Sequence, residues 1–309
     1  MAKDCNLTSV GTLLPISDLA MGGVYNWPNG PTNSRPQKLL DLYEGVLPNI
    51  YPRLPDGTRD DANGVIVIAG MGMSNCKRIL LKWIADVGLP ASFSAKVKLI
   101  NLASGGECLP ELGDPGDNYW TAGATGHKFQ QLIAESGYTA EQVQIVIMPE
   151  TAGDAYLGNP PPYPTLEEHQ AKMVQDIWSC SAQIKDHLPN VQTVIYSPRV
   201  YGGYCPTSKS PDSVKYPLCW ATQHGIRGAS HMLLNGEPAW QPSDTFPLVD
   251  YGADIWSQGP TPNPSGYCTL CDDLIDDGVH PSDAGQTKLA NAHNAWLLAS
   301  PLAAALTAV

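Results

Sequence analysis

An aspartate and a histidine three residues apart stand in the run Asp277-Gly278-Val279-His280-Pro281-Ser282, directly ahead of an amphipathic stretch. An acid sharing one turn with an imidazole can hold its tautomer through one ring nitrogen and leave the other as a base. Such a base needs a nucleophile or an activated water. The strongest candidate is Ser74, far upstream in Ala69-Gly70-Met71-Gly72-Met73-Ser74-Asn75. Its glycines allow a sharp backbone path, and a helix starting there aims unpaired N–H groups at the serine. Those donors and the helix dipole suit negative charge developing on a substrate oxygen. Taken singly, Ser74 reads equally well as a helix cap, His280 as a surface histidine and Asp277 as a turn residue. Their joint occurrence favours catalysis if the fold brings them to one rim. Cys76 is a rival nucleophile, but it falls inside the helix, a turn away from where the base should point.

The elements that must do this positioning alternate. Residues 64–70 form a continuous apolar run, as expected of a strand covered on both faces. A helix follows from about residue 75, with Ile79, Leu80, Trp83, Ile84 and Val87 on one stripe, and ends at Gly88 and Pro90. Further strands are expected over 96–103, 143–148 and 191–197, and 246–251 reads as a fifth strand or an extended segment. Helices are expected over 127–136, from the capping box Thr165-Leu166-Glu167-Glu168 onward, over much of 213–234, and over 283–299. Residues 1–62 read as an irregular segment with one short helix near 38–46, packed on a single domain spanning 1–309. Alternation of this kind predicts an α/β fold with a parallel sheet between two helical layers. Ligands bind such sheets outside the carboxyl ends of the strands. That rule selects 71–75, 104–107, 149–154, 198–204 and 252–256, with the loop ahead of the last helix free to join them.

Composition narrows the function classes. The chain has 309 residues, 43% of them hydrophobic, and a net charge of −12 with only 16% charged residues. That balance argues for a full core and against binding nucleic acid. No apolar run approaches the roughly 18 residues a membrane span needs. The start, Met1-Ala2-Lys3-Asp4-Cys5, lacks a hydrophobic signal core, so a signal peptide, if the protein has one, is absent from this sequence. Eight cysteines fit disulfides and a secreted or periplasmic protein. The competing reading is zinc held by Cys268 and Cys271 with Cys205 and Cys219, although zinc ribbons normally use two tight pairs. A Cys205–Cys219 disulfide would contribute about 3 kcal/mol on the chain-entropy model.

Three blocks together resemble the SGNH hydrolase (GDSL esterase/lipase) superfamily. They are Gly72-Met73-Ser74-Asn75 after the first strand, Asn101-Leu102-Ala103-Ser104-Gly105-Gly106 after the second, and Asp277-Gly278-Val279-His280-Pro281-Ser282. The resemblance implies a three-layer α/β/α sandwich around a parallel sheet of about five strands, flavodoxin-like. It also implies a Ser74–His280–Asp277 triad, with an oxyanion hole from the backbone N–H groups of Ser74 and Gly106. Two positions depart from the family pattern. Met73 stands where an acid is usual, and the asparagine donor of the third block is replaced by Glu150 or Thr151 in Met148-Pro149-Glu150-Thr151. A threonine hydroxyl can donate to an oxyanion, whereas a glutamate carboxylate repels it.

The resulting expectation is a serine esterase or acyl hydrolase needing no metal or cofactor. Its substrate would be a small-molecule or polymeric ester, such as a carbohydrate O-acyl ester or an aryl ester. Tyr201, Tyr204 and Trp256 follow later strands and either line an aromatic substrate cleft or pack in the core. A Cys76–Cys108 disulfide would tie the serine turn to the oxyanion loop. The alternative is a non-catalytic carbohydrate- or surface-binding protein on a hydrolase scaffold.

Overall fold

Five short aliphatic runs become the strands of one sheet. They are β1 (Ile66–Gly70), β2 (Val97–Asn101), β3 (Val143–Met148), β4 (Thr193–Tyr196) and β5 (Leu248–Tyr251). The structure is a computed structural model, described for residues 2–6, 25, 34–121, 128–153, 166–205 and 218–309. The strand order is β2-β1-β3-β4-β5 and every pairing is parallel. This is the flavodoxin-like order, as expected. Strands β1 and β3 are buried at every residue, which is why they read as unbroken apolar runs. Strand β2 lies at an edge, and three of its five residues are only partly covered.

The helices are α1 (Gln37–Val46), α2 (Ser74–Lys82), α3 (Leu109–Gly113), α4 (Lys128–Ser136), α5 (Leu166–His187), α6 (Leu218–Asn235), α7 (Asp283–Ala299) and α8 (Leu302–Thr307). They pack in two groups, α2 with α7 and α8 with α7, and α5 with α3 and α6, which gives the layers on either side of the sheet. The apolar stripe of α2 ends at buried Trp83 in a π-type turn at Trp83–Val87, which leaves Ile84, expected on the same stripe, 43% exposed; the turn closes where the Gly88 N–H reaches the Trp83 carbonyl at 2.7 Å. On α7 the stripe Leu289, His293 and Leu297 faces inward as its spacing predicts. The first residue of the capping box expected before α5, Thr165, lies outside the described residues, as does the start of the helix expected from 213.

Residues near the N-terminus cover the far edge of the sheet. Asp250 on β5 is buried, and its carboxylate accepts the Tyr25 and Tyr43 hydroxyls, each at 2.6 Å, with Arg35 Nε at 3.4 Å. Burial, followed by the Asp250 charge, pushes both phenols far above their ordinary range, so they remain donors. These side-chain bonds tie residues 25, 35 and 43 to the last strand of the sheet.

Candidate active site

In a 2-1-3-4-5 sheet the crevice opens outside the carboxyl ends of β1 and β3, where the chain order switches direction. The segment leaving β1 passes through Gly72 at φ +117°, and a Cβ there would stand 2.6 Å from Cys76 Sγ. Only glycine makes this turn. The turn delivers Ser74 as the first residue of α2, and the Gly72 carbonyl accepts the Ser104 N–H at 2.9 Å, joining the turn to the loop after β2.

The loop ahead of α7 comes to meet this serine. Ser74 Oγ lies 3.0 Å from His280 Nε2, and His280 Nδ1 lies 2.7 Å from Asp277 Oδ2. With Nδ1 donating to the carboxylate, Nε2 is left to accept the serine proton. Asp277 Oδ1 accepts the backbone N–H groups of Val279 and His280 at 2.9 and 3.0 Å. Burial alone would raise the Asp277 pKa, but these donors and the imidazole outweigh it and hold the carboxyl below its ordinary value. The side chains of His280 and Asp277 are 26% and 18% exposed, so the group is reachable from solvent.

The loop after β3 supplies the floor. Glu150 is fully buried, and Asn75 Nδ2 donates to its Oε2 at 2.8 Å and to the Val279 carbonyl at 3.2 Å. Burial pushes Glu150 up to about 7, against the opposing pull of Arg199 and Asn75. Thr151 gives its N–H to the Ser197 carbonyl at 2.9 Å, while its buried Oγ1 has no hydrogen-bond partner among the described residues. Gly106 lies in an exposed turn after β2, and its N–H has no acceptor among the described residues. Met73 is buried and its sulfur accepts Arg199 Nη1 at 3.3 Å. Asp154, the last residue of the expected β3 rim, is outside the described residues.

Several expectations are corrected. Cys76 and Cys108 form no disulfide; the Cys76 thiol donates to the Glu150 carbonyl at 3.0 Å instead. Burial pushes that thiol up to about 12, so it stays protonated and is a poor rival to Ser74. Cys271 is bonded to Cys5 across a separation of 266 residues, which removes a ligand from the zinc alternative. The Cys219 side chain, needed for a Cys205–Cys219 bond, lies outside the described residues. Tyr201, Tyr204 and Trp256 do not line an open cleft: they are 0, 2 and 3% exposed and pack with Ile79, Leu274 and Leu289. The Tyr204 hydroxyl donates to the Thr269 carbonyl at 3.2 Å. Their segment instead buttresses the histidine loop, for Gly278 packs directly on the backbone of Tyr204 and Cys205.

Two features carried no expectation from sequence. Asn75 is buried against both Glu150 and Val279, although the sequence offered it only as the last residue of the first block, with no role of its own. The Cys5–Cys271 bond has company in Lys3, whose Nζ donates to the Cys271 and Leu274 carbonyls at 2.9 and 2.5 Å.

No family model matches the chain, and no curated protein does. Among solved structures, it is similar to the salicylyl-acyltransferase SsfX3 from a tetracycline biosynthetic pathway, at 12% identity and a TM-score of 0.35. That match covers 78% of this chain, which spans only 56% of the acyltransferase. It is also similar to an extracellular lipase from Streptomyces rimosus, at 14% identity and a TM-score of 0.32, covering 74% of this chain and all of the lipase.

Proposed function

We propose that this protein is a serine hydrolase of the SGNH type acting on an ester, with a carbohydrate O-acyl or aryl ester as the substrate class. The reading is carried by one observation: a serine hydroxyl, an imidazole and a carboxylate from opposite ends of the sequence lie in a continuous hydrogen-bonded line at 3.0 and 2.7 Å. In this reading His280 Nε2 takes the Ser74 proton as Oγ attacks the ester carbonyl. Asp277 holds the ring and steadies its cation. The tetrahedral oxyanion faces the N–H groups of Ser74 and Gly106, with the Thr151 hydroxyl as third donor. The imidazolium then protonates the leaving alkoxide, and the C–O bond breaks to give an acyl-enzyme and an alcohol. Water, deprotonated by His280, attacks the acyl carbon, and Ser74 leaves with the returned proton.

The Cys5–Cys271 disulfide supports an oxidising, extracytoplasmic setting. Among the described residues no helix is long and apolar enough to cross a membrane.

Hydrolysis of p-nitrophenyl esters of increasing acyl length, by wild type, Ser74→Ala and His280→Ala, tests the reading. Each substitution is expected to cut kcat by at least about 10³-fold. Full activity in either variant refutes the assignment. Absence of hydrolysis by wild type across esters and acetylated sugars favours the non-catalytic binding protein.

A further inference from the structure

Beneath the serine lie two buried oxygens that lack a donor. Asn75 spends both amide protons, on Glu150 Oε2 at 2.8 Å and on the Val279 carbonyl at 3.2 Å, yet among the described residues its own Oδ1 has no partner. Glu150 Oε1 is likewise buried and unpartnered. Both residues are 1% exposed. Two buried acceptors without a donor, on side chains already joined at Nδ2 and Oε2, are costly at this depth, and one proton on the carboxyl removes the deficit, because it converts Oε1 into a donor.

We propose that Glu150 is a positioning residue held as the neutral acid, its Oε1 proton given to Asn75 Oδ1. The inference rests on the serine-hydrolase reading above. An acid and an amide joined at Nδ2 and Oε2 can close into a ring through their remaining oxygens. The closed pair fixes the Asn75 side chain, and Asn75 in turn links the serine turn to the residue before His280. The same pair therefore sets the distance between nucleophile and base. Ionising Glu150 has two effects. It takes away the proton that Asn75 Oδ1 would accept, and it places a negative charge against Asn75, the residue next to the serine.

The charged and titratable groups facing Glu150 come from four elements. Arg199, after β4, favours the ionised form. Cys76, on α2, donates to the Glu150 carbonyl and remains a thiol. Tyr267, in the segment after β5, is coupled to Glu150 and stays a phenol. His293, on α7, is bonded to the neighbouring Pro149 carbonyl and stays neutral, burial having lowered it to about 4. Burial of Glu150 prevails over Arg199 and puts its titration at about 7.

The test is the pH profile of kcat for p-nitrophenyl acetate, measured on the full chain. Wild type is expected to lose activity above about pH 7, the range in which Glu150 ionises. Glu150→Gln, a permanently neutral mimic of the acid, is expected to retain activity within about threefold near pH 6 and to lack the alkaline decline. A wild-type profile flat from pH 7 to 9 overturns the proposal, whether or not the variant folds. So does a decline that persists in Glu150→Gln, and so does a uniform loss at every pH, which would mean an ion pair with Arg199. Ser74→Ala separates the two layers. If it abolishes turnover while the pH behaviour fails, only the role of Glu150 falls; if it retains turnover, the serine reading falls with it.

Discussion

Asp277 takes the His280 imidazole on Oδ2 at 2.7 Å and the backbone N–H groups of Val279 and His280 on Oδ1 at 2.9 and 3.0 Å. The carboxylate thus organises its own loop and the ring at once. Asp277→Asn keeps the shape but offers an amide where the ring needs an acceptor, so the imidazole turns to the wrong tautomer. A fall in kcat of about 10³–10⁴-fold with KM little changed is expected in ester hydrolysis. A change confined to KM would assign Asp277 to substrate binding instead.

Gly278 tests how rigidly that loop must sit. It adopts φ +69°, and a Cβ would stand 2.6 Å from the Tyr204 carbonyl oxygen and 2.8 Å from the Cys205 backbone. Gly278→Ala must displace either the loop or the 204–205 segment beneath it. The expected cost is about 1–3 kcal/mol of stability in denaturant titration. Misplacing His280 by even a fraction of an ångström should also lower kcat by about tenfold or more. An unchanged kcat would mean that the loop tolerates movement at the catalytic distance.

Much of the fold was readable because parallel strands buried on both faces leave unbroken apolar runs, as at Ile66–Gly70 and Val143–Met148. Of the candidate site, the three residues singled out by type, Ser74, Asp277 and His280, are brought into hydrogen-bonding distance. What could not be read depends on the path of loops. Tyr201, Tyr204 and Trp256 sit after strands, where ligands bind, but the chain folds them under Leu274 and Leu289. Cys5 and Cys271 are 266 residues apart, and nothing in their spacing selects that pairing over the others. Asn75 looked like an ordinary helical residue because its partners, Glu150 and Val279, come from distant parts of the chain.

Thr151 Oγ1, buried and without a partner among the described residues, allows a narrow test of the proposed third oxyanion donor. Thr151→Val preserves volume and removes only the donor. An expected fall in kcat of about 10²-fold, with stability unchanged or slightly improved, would fit a hydroxyl kept free for the transition state. Thr151→Ser should recover most of the rate. Equal activity in wild type and Thr151→Val excludes the hydroxyl as a donor.

The Cys5–Cys271 bond anchors a short N-terminal stretch beside the histidine loop, where the Lys3 N–H also reaches the Asp276 carbonyl at 2.5 Å and the Asp4 N–H the Tyr204 carbonyl at 3.1 Å. Closing so long a loop restricts the unfolded chain. Cys5→Ser is therefore expected to lower stability by roughly 2–4 kcal/mol. Cys5→Ser and Cys271→Ser together should cost no more than either alone. A larger loss in the double variant would show that one thiol contributes by packing and not through the bond.

Glu150 and His293 flank Pro149 and carry opposite pH signatures. Burial raises Glu150 to about 7, so its contribution to stability is complete below the unfolded carboxyl value and is lost as pH rises through 7. Burial lowers His293 to about 4, so its contribution is complete above the unfolded imidazole value and is lost as pH falls through 4. Glu150→Gln removes only the first dependence. Relative to wild type the variant should therefore gain stability as pH rises from about 4.5 to 7, by up to about 3 kcal/mol. Above that range the gap should stay level, since both states of wild type are then ionised. His293→Phe keeps the stack on Trp83, whose ring lies 5.4 Å away, and loses the bond to the Pro149 carbonyl. It should carry a constant penalty together with a flatter acid limb. Urea titrations at stepped pH measure both. A gap between Glu150→Gln and wild type that does not vary with pH would mean that Glu150 is already ionised in the folded protein, with Arg199 outweighing its burial.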